Sequence, residues 1–288
     1  MWANPNPSRF PNEGAGQYFG HIHSYLQAAH GFLGEARALV KNNPNDPIAQ
    51  QDIQRAKDMY EFTKTRTRGY VVGNFCEADC VDNMIRIGIR LTELGAGNYY
   101  DEIEYWVRNE LAEKQIDAPT AINYIGNNTT DSYSTDHVGS KVAGLWFSDT
   151  THTLAVPYKT AMYNMDDATN PMHAMYMVWD KIVEIRGSNA QINFPLNRAH
   201  KYMDVKSHLP YQGLINISTK STIGPVTTLV VRVPNWADKN AVKVVRTDGN
   251  GAVTLTSGTD WVWSGYYVIT SAKPNTSYTI TFPIRVYQ

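Results

Sequence analysis

The sequence predicts an α+β multidomain protein, with helical hairpins followed by an antiparallel β-sandwich. Three observations predict it. Apolar residues recur at helical spacing in four segments between Gly20 and Gln115. From about residue 189 the period switches to two, in short runs separated by Gly, Pro, Asn and Asp turn signals. The chain, at 288 residues, is also long enough to bury two ordinary cores. The domains read as an extended arm over 1–19, a helical-hairpin domain over 20–187 with an irregular insertion at 117–165, and a β-sandwich over 188–288.

Each element follows from local pattern. In GHIHSYLQAAHGFLGEARALVK the residues Ile22, Tyr25, Leu26, Ala29, Phe32, Leu33 and Ala36 share one stripe. NNPNDP ends that helix, and Asp46 before Pro47 marks the start of the next, about 48–66, with Ile53, Ala56, Met59, Tyr60 and Thr63 inward. Met84, Ile87, Leu91 and Leu94 carry a third helix to a stop at Gly95-Ala-Gly97. A fourth, about 99–115, faces inward through Ile103, Trp106, Val107 and Leu111. A fifth is expected over 171–186, with Pro171 at its first position and Met175, Val178, Trp179 and Ile182 inward. Strands are expected at 191–197, 214–219, 227–233, 241–247, 252–257, 265–271 and 277–283.

Composition narrows the function. A net charge of −1 leaves no electrostatic footprint for nucleic acid or an anionic membrane surface. No apolar run approaches a membrane span. The opening MWANPNPSRFPNEGAGQ has neither a basic n-region nor an apolar h-region, so no signal peptide is read there. Cys76 and Cys80, the two cysteines, are expected as thiols, because neighbours on one helical turn make a poor disulfide and two thiols are half a zinc site. Seven Trp and eighteen Tyr suit a carbohydrate-facing protein, although most are expected in the core.

The strings GHIHSYLQAAHGFL, CEADCVDNMIRIGIRLTELGAGNYYDEIEYWVRNELAEKQI, AMYMVWDKI, INFPLNRAHKYMDVKSHLPYQGLINI and LVVRVPNWA are more specific than the architecture. Through them the chain resembles the β-L-arabinofuranosidase-like glycoside hydrolases. The resemblance implies an (α/α)6 toroid followed by β-sandwich domains. The helices present here amount to a partial toroid, truncated at its N-terminal side. Either the chain is a fragment, or a second polypeptide completes the ring, or the protein is a reduced descendant that folds differently; an open ring leaves apolar flanks, so a homo-oligomer, or a second chain that completes the toroid, is expected.

The resemblance also implies a site. The family carries Glu-x-Cys at a helix start and a Cys-Cys pair before a later helix; these bind zinc, and one cysteine is the nucleophile. Glu-x-Cys falls on Glu77-Ala78-Asp79, and Cys-Cys on Asp166-Asp167. A one-residue slip would put Cys80 in place of Asp79. Without the slip, Glu77, Asp79, Asp166 and Asp167 form an all-oxygen set, which suits Ca²⁺, Mg²⁺ or Mn²⁺ and not zinc. Clustered carboxylates otherwise share protons, the starting point for a glycosidase pair. Helix capping or solvation of the same acids is the third reading. Asp167 then stands at the nucleophile position, Glu77 beside it, and Glu61 is the nearest candidate acid/base. His21, His23, Tyr158 and Tyr163 are the candidates for binding sugar. Arg198, His200, Asp204, Lys206, His208 and Tyr211 form a polar run read as a hydrogen-bond network between domains.

The function expected is thus a glycoside-hydrolase-like protein acting on or binding arabinose-type or related polysaccharide side chains. The alternative is a catalytically inactive descendant that binds carbohydrate or self-assembles. The resemblance leaves the compartment open among secreted, periplasmic and cytoplasmic.

Overall fold

The computed structural model describes residues 22–66, 78–117, 119, 140–141, 143–146 and 170–284. The chain divides into two compact units, 1–177 and 178–288. The division falls inside a helix, ahead of the sandwich start expected at 188.

In the first unit α1 (Ile22–Leu39) and α2 (Pro47–Arg66) form a hairpin. Asp46 caps α2, its Oδ1 accepting the N–H groups of Ile48 at 2.9 Å and Ala49 at 3.0 Å. Tyr25, Leu26, Ala29, Leu33 and Ala36 are buried along α1, and Ile53, Ala56, Met59, Tyr60 and Thr63 along α2. Helix α3 (Ala78–Glu93) packs on both. It stops where expected: Gly95 takes φ 78°, and the Ala96 N–H closes back on the Leu91 carbonyl at 2.9 Å.

Helix α4 (Tyr100–Trp106) runs into a π-helical turn, Val107–Leu111, and a last helical turn, α5 (Ala112–Lys114). The sequence pattern held no sign of the π turn. A side-chain reason is visible beside it: the Trp146 indole N–H donates to the Leu111 carbonyl at 2.9 Å, and residues 144–146 bridge to 115–116. Trp106 lies in the core as expected, its Nε1 donating to the Tyr60 hydroxyl at 3.2 Å. Tyr99 and Tyr100 are buried as well.

Helix α6 spans Pro171–Ile182, shorter than expected, and Val183–Arg186 is a strand. Its buried residues are Ala174, Val178 and Ile182, while Met175 and Trp179 are exposed, so the expected inward face is rotated. A stripe of Met, Val, Trp and Ile satisfies the helical period in more than one phase.

The second unit holds two sheets. Strands β1 (Val183–Arg186), β2 (Asn189–Ile192), β6 (Thr228–Arg232), β10 (Tyr267–Ser271) and β9 (Trp261–Ser264) form one, in the order β1-β2-β6-β10-β9. Strands β3 (Arg198–Ala199), β4 (Met203–Ser207), β5 (Leu214–Thr219), β11 (Ser277–Thr281), β7 (Lys243–Asp248) and β8 (Gly251–Thr254) form the other, in the order β3-β4-β5-β11-β7-β8. Burial alternates along β5, β6, β10 and β11, as the period of two requires of sheets that each bury one face. The pairs are antiparallel except β2 with β6, which is parallel. All seven expected strand segments overlap a strand, Leu214–Thr219 with the ends expected and the others trimmed or shifted, while β1, β3, β4 and β9 are additional.

Candidate functional site

The N-terminal half of α3 is enclosed on every side. Every residue from Ala78 to Ile85 is buried, including Asp79, Asp82 and Asn83. Buried polar groups on a helix need partners, and their partners define the site.

Asp79, in the first turn of α3, forms an ion pair with His23 in the first turn of α1, Oδ2 to Nδ1. The sequence offered these two residues for different roles, one as a metal ligand and the other as a sugar contact; the fold places them in direct contact. Asp79 is 2% exposed and His23 21% exposed. Nδ1 therefore donates to the carboxylate. Nε2 lies 3.4 Å from the Gln27 amide nitrogen and keeps a lone pair for it. Asn83, one turn after Asp79, donates to the Asp79 carbonyl at 2.8 Å and lies 3.1 Å from His23 Nδ1. An imidazole oriented by a buried carboxylate, with part of its surface open, can accept a proton or a hydroxyl hydrogen bond.

A second layer lies behind this pair. Asp82 Oδ2 accepts from Arg86 at 2.8 Å, and its Oδ1 accepts the Ala174 N–H at 3.0 Å in the first turns of α6. Burial raises the Asp82 carboxyl above the usual carboxylate range, against the opposing pull of Arg86. His30 is held down at about 3, by burial first and then by Arg86, so it is neutral at physiological pH. The sequence reading missed Asp82, Asn83, Arg86 and His30. Their signal was present, since 79, 83 and 86 share a helical face and 82 stands one turn before 86.

Glu61, the expected acid/base, lies on α2. Its carboxylate pairs with Lys64 at 2.8 Å, and Lys64 reaches Glu102 on α4 at 2.8 Å. Glu77, Asp166, Asp167, His21, Tyr158 and Tyr163 lie outside the described residues.

Cys80 is disulfide-bonded, which corrects the expectation of thiols; the chain's one other cysteine is Cys76. The expectation rested on both cysteines sharing one helical turn; Cys80 lies in α3, and Cys76 lies outside the described residues. A disulfide sulfur offers no thiolate to zinc or to a substrate. Among the described residues no three of His, Cys, Asp and Glu are placed to hold a metal ion. Asp79, the described member of the expected oxygen set, already has an oxygen committed to His23.

The fold itself has known counterparts. A GH127 β-L-arabinofuranosidase from Geobacillus stearothermophilus T6 superposes over 93% of this chain with a TM-score of 0.53 and 13% identity. A second GH127 β-arabinofuranosidase matches over 92% with a TM-score of 0.52 and 14% identity. A structure described as a glycoside hydrolase matches over 98% with a TM-score of 0.55 and 11% identity. The chain thus has a GH127-like fold. It spans 43%, 43% and 50% of the lengths of these three chains. No protein-family model matches the sequence, and no curated protein matches it. No helix among the described residues is long and apolar enough to cross a membrane.

Proposed function

We propose that this chain is a glycoside-hydrolase-like protein that cleaves or binds arabinose-type or related polysaccharide side chains. The observation that carries the reading is the likeness to two enzymes named as β-arabinofuranosidases, which runs along at least 92% of the chain. The helical unit is then part of an (α/α) toroid. His23, oriented by Asp79, faces the sugar. With the exposed Gln27 amide turned aside, Nε2 accepts a hydroxyl proton or hydrogen bond, while Asp79 holds the tautomer and steadies the imidazolium when it forms. Glu77, Asp166 and Asp167 complete the acidic set around this pair, with a hard divalent cation as the group that would neutralise it.

Hydrolysis of an aryl β-L-arabinofuranoside by the full chain tests the reading, with and without EDTA and with His23→Ala as the control. We expect wild-type turnover and a loss of about 100-fold or more in the variant, the usual contribution of a positioned acid/base. Binding without turnover selects the non-catalytic version. If the wild type neither cleaves nor binds any arabinoside, the reading is wrong.

A further inference from the structure

Part of the polar run read from the sequence, Arg198, Asp204, Lys206 and His208, lines a cleft wholly within residues 178–288. The cleft has a volume of about 640 Å³ and opens along the β3–β4 edge of the six-stranded sheet. That size lies within the roughly 300–1,000 Å³ typical of small-ligand sites. Trp179, Asn197, Arg198, Asp204, Lys206 and Lys220 are among its lining residues.

Three features of this lining point the same way. The first is a built aromatic wall. Arg198 Nη1 donates to the carbonyls of Trp179, Asp180 and Val183 at 2.7, 2.5 and 3.1 Å, which ties the guanidinium to the C-terminal end of α6. The same guanidinium lies 4.2 Å from the Trp179 ring centroid, while Trp179 stays 48% exposed on the cleft wall. The indole is thereby braced on the guanidinium side while about half of the side chain stays exposed. The second feature is charge. Arg198, Lys206 and Lys220 outnumber Asp204, whose Oδ1 lies 3.3 Å from Lys220. His200, in the segment linking β3 to β4, is lowered by burial first and then by Arg198, Lys220 and Lys201, which reports the same positive potential. The third is hydrogen-bonding lining: Asn197 is fixed by accepting the Ser207 N–H at 2.8 Å, and His208 is on the wall as well.

We propose that this cleft binds a carboxylate-bearing sugar unit, a hexuronate within an acidic saccharide. The apolar face of a pyranose suits the Trp179 ring, its hydroxyls suit Asn197 and His208, and its carboxylate suits Lys206 and Lys220. A multiply charged phosphate suits the cleft less well. The helix end here is a carbonyl-bearing C-terminus, whose partial negative charge opposes a polyanion, and Asp204 adds to that opposition. A single carboxylate set between two lysines meets far less of it. The proposal concerns a cleft separate from the His23–Asp79 pair and stands apart from the hydrolase reading.

Calorimetric titration of the full chain with trigalacturonate tests it, alongside neutral galactotriose and sodium sulfate. We expect trigalacturonate to bind about tenfold more tightly than galactotriose, a difference of about 1.4 kcal/mol. The K206A/K220A double variant, with an unchanged melting temperature, should lose about tenfold of that affinity, and added salt should weaken the wild-type binding. His23→Ala should bind as wild type does, which separates failure here from failure of the arabinoside reading. The proposal is overturned if trigalacturonate shows no binding at about 10 mM, a concentration well above a weak sugar Kd. It is equally overturned if galactotriose binds as tightly, if sulfate displaces the sugar at equal concentration, or if the lysine variant binds unchanged.

Discussion

Asp82 accepts the backbone N–H of Ala174 at 3.0 Å, across 92 residues of sequence. A carboxylate buried on α3 thus meets a backbone N–H in the first turns of α6, near the positive end of that helix's dipole. The same carboxylate holds Arg86 one turn along α3.

Removing it should expose both dependents at once. Asp82→Ala is expected to cost about 3 kcal/mol, near the low end for a broken buried pair because Arg86 keeps some access to water. Asp82→Asn keeps an oxygen for the Ala174 amide and should cost clearly less. Urea melts of the two variants check the order; equal losses would mean that the amide contact contributes nothing.

For the His23–Asp79 pair, contact should appear as coupling. A double-mutant cycle with His23→Ala and Asp79→Ala is expected to show about 1–3 kcal/mol of non-additivity in unfolding free energy. A coupling near zero would show that the two side chains do not interact in solution.

The disulfide at Cys80 predicts a reducible element of stability. With Cys76 as its partner the closed loop is short, so loop-closure entropy gives about 2 kcal/mol. Reductant should lower the melting temperature by a few degrees, and peptide mapping without reductant should recover the two cysteines linked. Recovery of both as free thiols would refute the link.

Glu110 predicts a pH dependence. It is 3% exposed within the π turn, and burial pushes its carboxyl up to about 7 from 4.5, against the pull of Lys114. Below 4.5 the folded and unfolded chains are both protonated there. Between 4.5 and 7 the folded chain holds the extra proton, so stability falls as pH rises through this window. The loss is about 3 kcal/mol by the pKa difference. Glu110→Gln should flatten this part of the curve, gaining on the wild type from pH 5 to pH 8 in thermal melts. A parallel pair of curves would show that Glu110 ionises normally.

How legible the protein was in its sequence differs from element to element. Asp46 before Pro47 and Gly95 after Leu94 marked helix ends correctly because capping chemistry is local. The strand at Leu214–Thr219 was read with its true ends, since alternation and flanking turns agree there. Val183–Arg186 was taken into a helix because four residues of Val, Glu, Ile and Arg fit either period. Arg198–Ala199 and Met203–Ser207 carry too little apolar content to register as strands, and their pairing, β3 with β4 and β4 with β5, comes from the sheet. The parallel pairing of β2 with β6 has no local signature, because it depends on which edge is open when the sheet assembles.

At the candidate site the division is sharper. The sequence by itself determined the kinds of group available: carboxylates at a helix start, a histidine in the first turn of another helix, and a polar run at the head of the β unit. Only the tertiary structure decided what they do. Asp79 became a partner of His23 rather than an open ligand, Asp82 came to meet the Ala174 N–H of α6, and Arg198, Lys206 and Lys220 came to share a cleft with Trp179. The reason is physical. Periodicity and capping act over a few residues and are written in local composition. Ion pairs and clefts depend on distances of a few ångströms between segments far apart in the chain, and packing alone sets those.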